Sequence, residues 1–257
     1  MKFQFVSIFF KLIGITLCFL FWNEIFFWWI MIPFLVSYVL IAIISSYMLQ
    51  LNMHIQSIQK PSENGVLLTF DDGPDPKHTP SILDTLQREK ISAVFFVIGK
   101  HAEKHPDLIQ RIQSDGHILG NHSYSHHYLL PFFTSKRLQK DFEKCASVIR
   151  QIIGVKPLLL RPPFGATSPK YFKAFKKMTY QSVGWNIRTY DTIAKSKDEF
   201  LQRSLKHLRE NESQIMLLHD SKATTAKGLE ELIGFIRKKG LNFLSPEQAL
   251  KTRMYEN

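Results

Sequence analysis

Between Ile25 and Leu49 the chain runs for 25 residues without a single charged side chain. A bilayer core calls for about 20 apolar residues in helical conformation. Soluble cores seldom hold an uncharged run of this length, so the stretch is expected to span a membrane. Phe3 to Trp22, 20 residues interrupted only by Lys11, is a second candidate span. Its apolar region exceeds the roughly 7 to 15 residues of a secretory signal, and no small-residue cleavage site comes after it. Trp22, Trp28 and Trp29 cluster between the two stretches, where a membrane interface accommodates indole rings. Two arrangements satisfy these features: a hairpin turning at Asn23 and Glu24, or an interfacial helix feeding one span. With two spans the remainder of the chain shares the side of its amino terminus; with one, it lies across the membrane from Lys2 and Lys11. Gln50 to Gln59 contains no Lys or Arg, which by the positive-inside rule favours an extracytoplasmic location for the rest of the chain.

The expected organisation is a membrane anchor at 1–49 of one or two helices, a linker at 50–64, and a single domain at 65–257. Lys2, Lys11 and Glu24 are the only charges up to Leu49, so 31 basic and 21 acidic side chains, a net charge of +10, belong to the remainder. Such a surplus favours anionic surfaces. No basic run interleaved with aromatics and no nucleic-acid motif is present, so a membrane or cell-wall surface is the expected partner and nucleic acid is not; nor is an obligate protein partner evident. The two cysteines, Cys18 and Cys145, fall in separate regions and form no disulfide framework.

From Gly65 onward, short apolar runs alternate with amphipathic stretches. Val66–Phe70, Ala93–Val97, His117–Gly120, Leu158–Leu160, Gln181–Trp185, Ile215–Leu218 and Leu241–Leu244 read as buried strands. Thr79–Glu89, Pro106–Ser114, Ser135–Ile152, Lys197–Glu210 and Thr225–Lys238 read as helices, the last closed by Gly240. This alternation implies an α/β fold with a mainly parallel sheet, either a barrel or doubly wound. In both, chemistry gathers at the carboxyl ends of the strands. Asp71 and Asp72, His122 and His126, Arg161, Asp191, and His219 with Asp220 all come just after predicted strands.

His122 and His126 are four residues apart, and a helical turn would put both imidazoles on one face, as a metal ion requires. A carboxylate from another strand end would complete a two-histidine, one-carboxylate triad with open positions. Asp71 and Asp72 supply that group, and adjacent residues at a strand end point in different directions, so one can bind metal while the other faces a water. Asp-Asp-Gly-Pro is also ordinary turn chemistry, but a turn alone does not account for three histidines at other strand ends.

TFDDGP (69–74), HSYSH (122–126), RPPFG (161–165) and LLHD (217–220) resemble, in order and spacing, successive motifs of the polysaccharide deacetylase family that shares the NodB homology domain. The resemblance covers about Leu67 to Leu244. It implies a distorted (β/α) barrel of about seven strands. It further implies that Asp72, His122 and His126 hold a divalent cation, zinc by family expectation, with Asp71 as general base and His219 as general acid. Arg161 would steady that base, the backbone N–H of Phe164 would stabilise the oxyanion, Leu217 would line the slot for the acetyl methyl group, and Asp191 would orient His219. The chain departs from the family pattern Asp-x-x-Asp-Trp, reading Arg188-Thr-Tyr-Asp191-Thr192; Trp185 and Tyr190 are candidates for stacking on a sugar. The implied activity is removal of N-acetyl groups from an amino-sugar polysaccharide. The alternatives are an O-acetyl esterase or other amidase on the same fold, and a membrane-tethered glycan-binding module without catalysis; intact Asp71 and His219 speak against the last.

Overall fold

The computed structural model describes residues 2–210 and 212–256. Its first two helices, α1 (Lys2–Phe21) and α2 (Phe27–Tyr47), are each long and apolar enough to cross a membrane. They pair side by side through Phe10 stacked on Phe34 at 5.3 Å and through Ser7 Oγ hydrogen-bonded to Tyr38 OH at 3.0 Å. The turn between them falls at Trp22–Phe26, where the N–H of Glu24 bonds the carbonyl of Phe21, so the two helices form a hairpin. Both free ends return to the domain: the N–H of Phe3 bonds the Met53 carbonyl, and the N–H of Thr167 bonds the Ser46 carbonyl at 2.7 Å.

The domain contains strands β1 (Ser57–Ile58), β2 (Val66–Asp71), β3 (Val94–Val97), β4 (Ile118–Asn121), β5 (Lys156–Pro157), β6 (Leu159–Leu160), β7 (Gln181–Val183), β8 (Ile187–Arg188), β9 (Gln214–His219) and β10 (Tyr255–Glu256). Eight of them form one parallel sheet in the order β1-β7-β6-β4-β3-β2-β9-β8, and β5 pairs with β10 in a separate antiparallel ribbon. The sheet curls into a half-barrel whose edges, β1 and β8, do not pair. The helices are α3 (Thr79–Arg88), α4 (Gly99–Lys104), α5 (Pro106–Ser114), α6 (Ser135–Ile153), α7 (Pro169–Phe175), α8 (Lys197–Lys206), α9 (Ala223–Lys238) and α10 (Pro246–Leu250).

The period-2 alternation of β2 shows how the chain sorts its side chains. Val66, Leu68 and Phe70 enter the core between the sheet and α3, α5, α8 and α9. Leu67 enters a second core on the inner face, with Phe96, Leu160, Val183 and Leu217. Thr69 and Asp71 continue that inner face toward the carboxyl edge. Inside the half-barrel, apolar side chains thus give way to polar ones at one end.

Three expectations are corrected. Leu241–Leu244 forms no strand: only Phe243 bridges to Val66, because β3 occupies that edge of β2 from Thr69 on and Ser245 caps α10 immediately afterwards. Six expected strands form, and the other two of the eight are β8, after Trp185, and β1 from the expected linker, which joins β7 where Ser57 Oγ meets Ser182 Oγ at 2.7 Å. Finally, α8 stops at Lys206 rather than Glu210, since Gln214 ties back to the N–H and carbonyl of Arg209.

Candidate metal centre

Asp71 ends β2 with its side chain inward, and Asp72 comes next at φ 75°, in the left-handed region. That backbone reversal costs a non-glycine residue about 1–3 kcal/mol. Its effect is to swing the Asp72 carboxylate toward the end of β4. His122 sits there, directly after β4, and is buried, and His126 lies in the same loop. The expected helical turn between the histidines is absent. Ser123 and His126 instead take positive φ values of 67° and 46°, and side chains hold the loop. The N–H of Ser123 bonds Asn121 Oδ1, the N–H of His126 bonds Ser123 Oγ, and the N–H groups of Tyr124 and Ser125 both point at Asp141 Oδ1 of α6. Short polar side chains compete with the helical ladder at such positions, which explains the irregular path.

The two imidazoles nevertheless converge on one oxygen. Asp72 Oδ1 lies 3.1 Å from His126 Nε2 and 3.5 Å from His122 Nε2, and the ligand atoms of the three residues all lie within 4.8 Å of one another. The Nδ1 of His122 is 2.8 Å from the Arg161 carbonyl. A carbonyl only accepts, so Nδ1 carries the proton and the Nε2 lone pair faces Asp72. His126 Nε2 is buried without a hydrogen-bond partner among the described residues, an unusual state for a polar atom that a cation would relieve. Burial alone would raise the Asp72 carboxyl, but the adjoining imidazoles of His122 and His126 and the charge of His219 outweigh it, holding the group well below the usual carboxylate range. An ionised oxygen ligand with two imidazoles in this arrangement fits a divalent cation.

On one flank stands Arg161, entirely buried. Its Nη1 donates to Asp71 Oδ1 at 2.8 Å and to Thr69 Oγ1 at 2.9 Å, while Nε and Nη2 donate to the carbonyls of Val183 and Gly184. Asp71 Oδ2 is left facing His122 Nε2 at 3.8 Å. On the other flank His219, at the end of β9, puts Nε2 4.0 Å from Asp72 Oδ2. Its Nδ1 meets Asp191 Oδ1 at 2.8 Å, and Asp191 Oδ2 accepts from the His219 N–H and from Thr225 Oγ1. Burial would lower the imidazole, but the hydrogen bond and charge of Asp191, with the charges of Asp71 and Asp72, raise it to about 9.

The remaining candidates surround this group. The Phe164 ring packs on His126 with centroids 4.6 Å apart, and its φ of 61° sits among Pro162, Pro163 and Gly165. Leu217 lies two residues before His219 on the same face of β9 and is buried. Trp185 is 7% exposed and packs so closely that a Cβ on Gly165 would come within 2.5 Å of its ring; it is a wall more than an open stacking surface. Tyr190 is at the rim, 38% exposed, beside Arg188 and His207. Sequence reading missed Thr69 and Thr225, which act through the Arg161 and Asp191 side chains, and Asn121 and Asp141, which hold backbone N–H groups of the histidine loop. Asp220 has a place but no expected role: its Oδ2 accepts from Thr79 Oγ1 at 2.7 Å, and burial pushes its carboxyl up to about 7.

Residues 58–183 match the family model described as polysaccharide deacetylase. A peptidoglycan-N-acetylmuramic acid deacetylase of Bacillus subtilis is 33% identical over 187 residues, covering 71% of this chain and 70% of that protein. The chain belongs to the polysaccharide deacetylase family. The relatives named as peptidoglycan deacetylases are hydrolases acting on carbon–nitrogen bonds other than peptides. A peptidoglycan-N-acetylglucosamine deacetylase of Bacillus cereus is 30% identical over 195 residues, covering 74% of this chain and 90% of that protein. Among solved structures, the chitin deacetylase of Colletotrichum lindemuthianum superposes with a TM-score of 0.73 at 26% identity, covering 78% of this chain and 95% of that one.

Proposed function

We propose that this polysaccharide deacetylase removes N-acetyl groups from an amino sugar of a cell-surface glycan, in a domain at 65–257 that residues 1–49 anchor to the cell membrane on its outer side. The relatives named for peptidoglycan make acetylated wall glycan the first substrate to test. The observation that carries the reading is the convergence of Asp72, His122 and His126 between two differently prepared groups, Asp71 on Arg161 and His219 on Asp191.

A divalent cation on Asp72, His122 and His126, zinc by the nitrogen-rich donor set, supplies Lewis acidity: it polarises the acetamide carbonyl and lowers the pKa of a nearby water. Asp71 Oδ2, the oxygen not engaged by Arg161, takes a proton as the water oxygen bonds the carbonyl carbon. The N–H of Phe164 donates to the carbonyl oxygen as it becomes negative. His219, held in its charged form by Asp191, then gives its Nε2 proton to the sugar nitrogen as the carbon–nitrogen bond breaks, leaving acetate and a free amine. Leu217 closes the floor against the acetyl methyl group, and Tyr190 offers its ring to the sugar at the rim.

The test is acetate release by the full chain in detergent, from peptidoglycan and acetylated chitooligosaccharides, with zinc, cobalt or chelator present. O-acetylated sugars belong in the same panel, because Arg188 and Thr192 stand where the family pattern has Asp and Trp. Activity only on O-acetyl groups would redirect the assignment to an esterase. No acetate from any sugar with any metal would refute it. A reporter fused after Asn257 reads the side of the membrane, and a cytoplasmic signal would overturn the outer placement.

A further inference from the structure

Beyond Leu51, the exposed large hydrophobic side chains of the described residues are Tyr128, Leu129, Phe132, Phe164, Tyr190 and Ile193. All six lie on the loops after β4, β6 and β8, the same loops that carry His126, Arg161 and Asp191. Exposed apolar surface on this domain is therefore confined to the rim of the site, and such a patch marks a contact with something apolar.

The hairpin comes back to this rim. Tyr38, Val39, Ala42 and Ser46 of α2 line a groove of about 370 Å³ whose other wall is Phe132 with the loop 166–170. From Tyr38 to Tyr47 a helix rises by roughly 13 Å, and the 21 residues of α2 measure about 31 Å, the thickness of a bilayer core. With α2 spanning, the Phe132 loop flanks it below the headgroups, within the outer part of the membrane. Tyr47 is shared between this groove and a more polar cleft of about 320 Å³ containing Phe164, Tyr190, Arg188 and His207. The exposed guanidinium of Arg188 lies 5.1 Å from the Tyr190 ring and has no carboxylate partner among the described residues. Phe164 in turn touches His126. An apolar groove at membrane depth, an unpaired cation and the metal centre thus succeed one another along one path.

We propose, building on the deacetylase reading, that the substrate is an acetamido sugar joined through phosphate to a membrane lipid: the lipid chain lies in the groove between α2 and Phe132, the phosphate meets Arg188, and the sugar reaches Asp72, His122 and His126. The reaction is the same hydrolysis to acetate and amine. A water-soluble glycan draws nothing from the groove, whereas a lipid chain buries apolar surface there and a phosphate gains charge-assisted hydrogen bonds from the guanidinium.

The full chain in phospholipid nanodiscs is given four substrates: N-acetylglucosamine linked through phosphate to a long alkyl chain, the alkyl glycoside without phosphate, the sugar 1-phosphate without a chain, and neutral chitotetraose. The first is expected to have a kcat/KM higher than each of the others by at least about tenfold, a difference of the size that one charged pair or a buried chain supplies. Arg188→Glu is expected to lower the preference for the first over the second, and Ala42→Phe, which narrows the groove, the preference for the first over the third. Chitotetraose turned over as fast as the lipid-linked sugar, or preferences unmoved by both substitutions, would overturn the proposal while leaving the deacetylase reading intact. Acetate from peptidoglycan but from none of the four would overturn this proposal alone, and acetate from neither would overturn the deacetylase reading with it.

Discussion

Replacing Arg161 by Met tests whether the buried guanidinium organises the site. Its head makes four hydrogen bonds, to Asp71, Thr69, Val183 and Gly184, with no solvent exposure. Met fills much of the volume but donates nothing, so the Asp71 carboxylate loses its buried partner and two carbonyls lose a donor. Breaking one half of a buried ion pair costs about 3–5 kcal/mol, and each orphaned acceptor adds roughly 1–3 kcal/mol unless water reaches it. Against a total stability of about 5–15 kcal/mol, Arg161→Met should leave the domain marginal, with Tm lower by roughly 10 °C or more at about 2–4 °C per kcal/mol. Thermal unfolding by circular dichroism in detergent measures this. The double variant Asp71→Leu/Arg161→Met should recover at least about 2 kcal/mol of the loss, because the uncompensated charge is gone. A single variant within about 1 kcal/mol of the parent, or a double variant less stable than the single, would show that the pair is not the constraint described.

The metal reading predicts that Asp72→Ala weakens zinc binding by at least about a hundredfold in calorimetry, with circular dichroism unchanged; undiminished binding would place the cation elsewhere. Asp191→Asn removes the charge that raises His219, so the alkaline limb of the pH–rate profile should move to lower pH; an unmoved limb would separate it from His219. Gly73→Ala should impair activity and fold together, because a Cβ at that position would stand 2.0 Å from Asp220 Oδ2. His117 gives a pH prediction remote from the site. It is buried, its Nδ1 accepts the N–H of Ala93, and burial lowers its pKa from 6.5 to about 4. The folded state therefore binds fewer protons than the unfolded state between these values. The stabilisation is complete above pH 6.5 and drains as pH falls toward 4, by about 3 kcal/mol in all. His117→Asn, which keeps an acceptor, should flatten that slope; an unchanged slope would assign it to other groups.

Much of this architecture was legible because period and spacing are local properties. The β2 run reads directly from Val66 to Phe70, and α5 from Pro106 to Ser114 matches its helical pattern. The failures lie where tertiary competition decides. Leu241–Leu244 has the composition of a strand but meets an edge of β2 that β3 has already taken, while Ser57 and Ile58, too few to show alternation, become a strand because β7 has a free edge. At the site, the residues proposed to hold a cation or carry protons belong to recognisable motifs. Asp141 and Thr225 do not, because each sits inside a helix and acts on the site through backbone or carboxylate partners that only the fold brings near.

The division of labour between Asp71 and Asp72 shows how adjacent carboxylates become chemically distinct without differing in sequence. Strand geometry already sends consecutive side chains to opposite faces, but both of these must reach one centre. The structure resolves the conflict at Asp72, whose left-handed backbone turns the second carboxylate back toward His122 and His126. Asp71 stays on the strand, where Arg161 takes one of its oxygens and leaves the other facing His122. Gly73 then lets the chain pass so close to Asp220 that no side chain fits, and the Thr79 hydroxyl fixes that carboxyl in place. The strain at Asp72 is thus held by packing on the next residue. If so, relaxing that packing should release Asp72 before it disturbs Asp71: Thr79→Val, which keeps the volume but not the hydroxyl, should weaken metal affinity several-fold while the Arg161–Asp71 pair keeps the fold stable to within about 1–2 kcal/mol. Equal loss of stability and affinity would mean that the two carboxylates are held by one network and not by two.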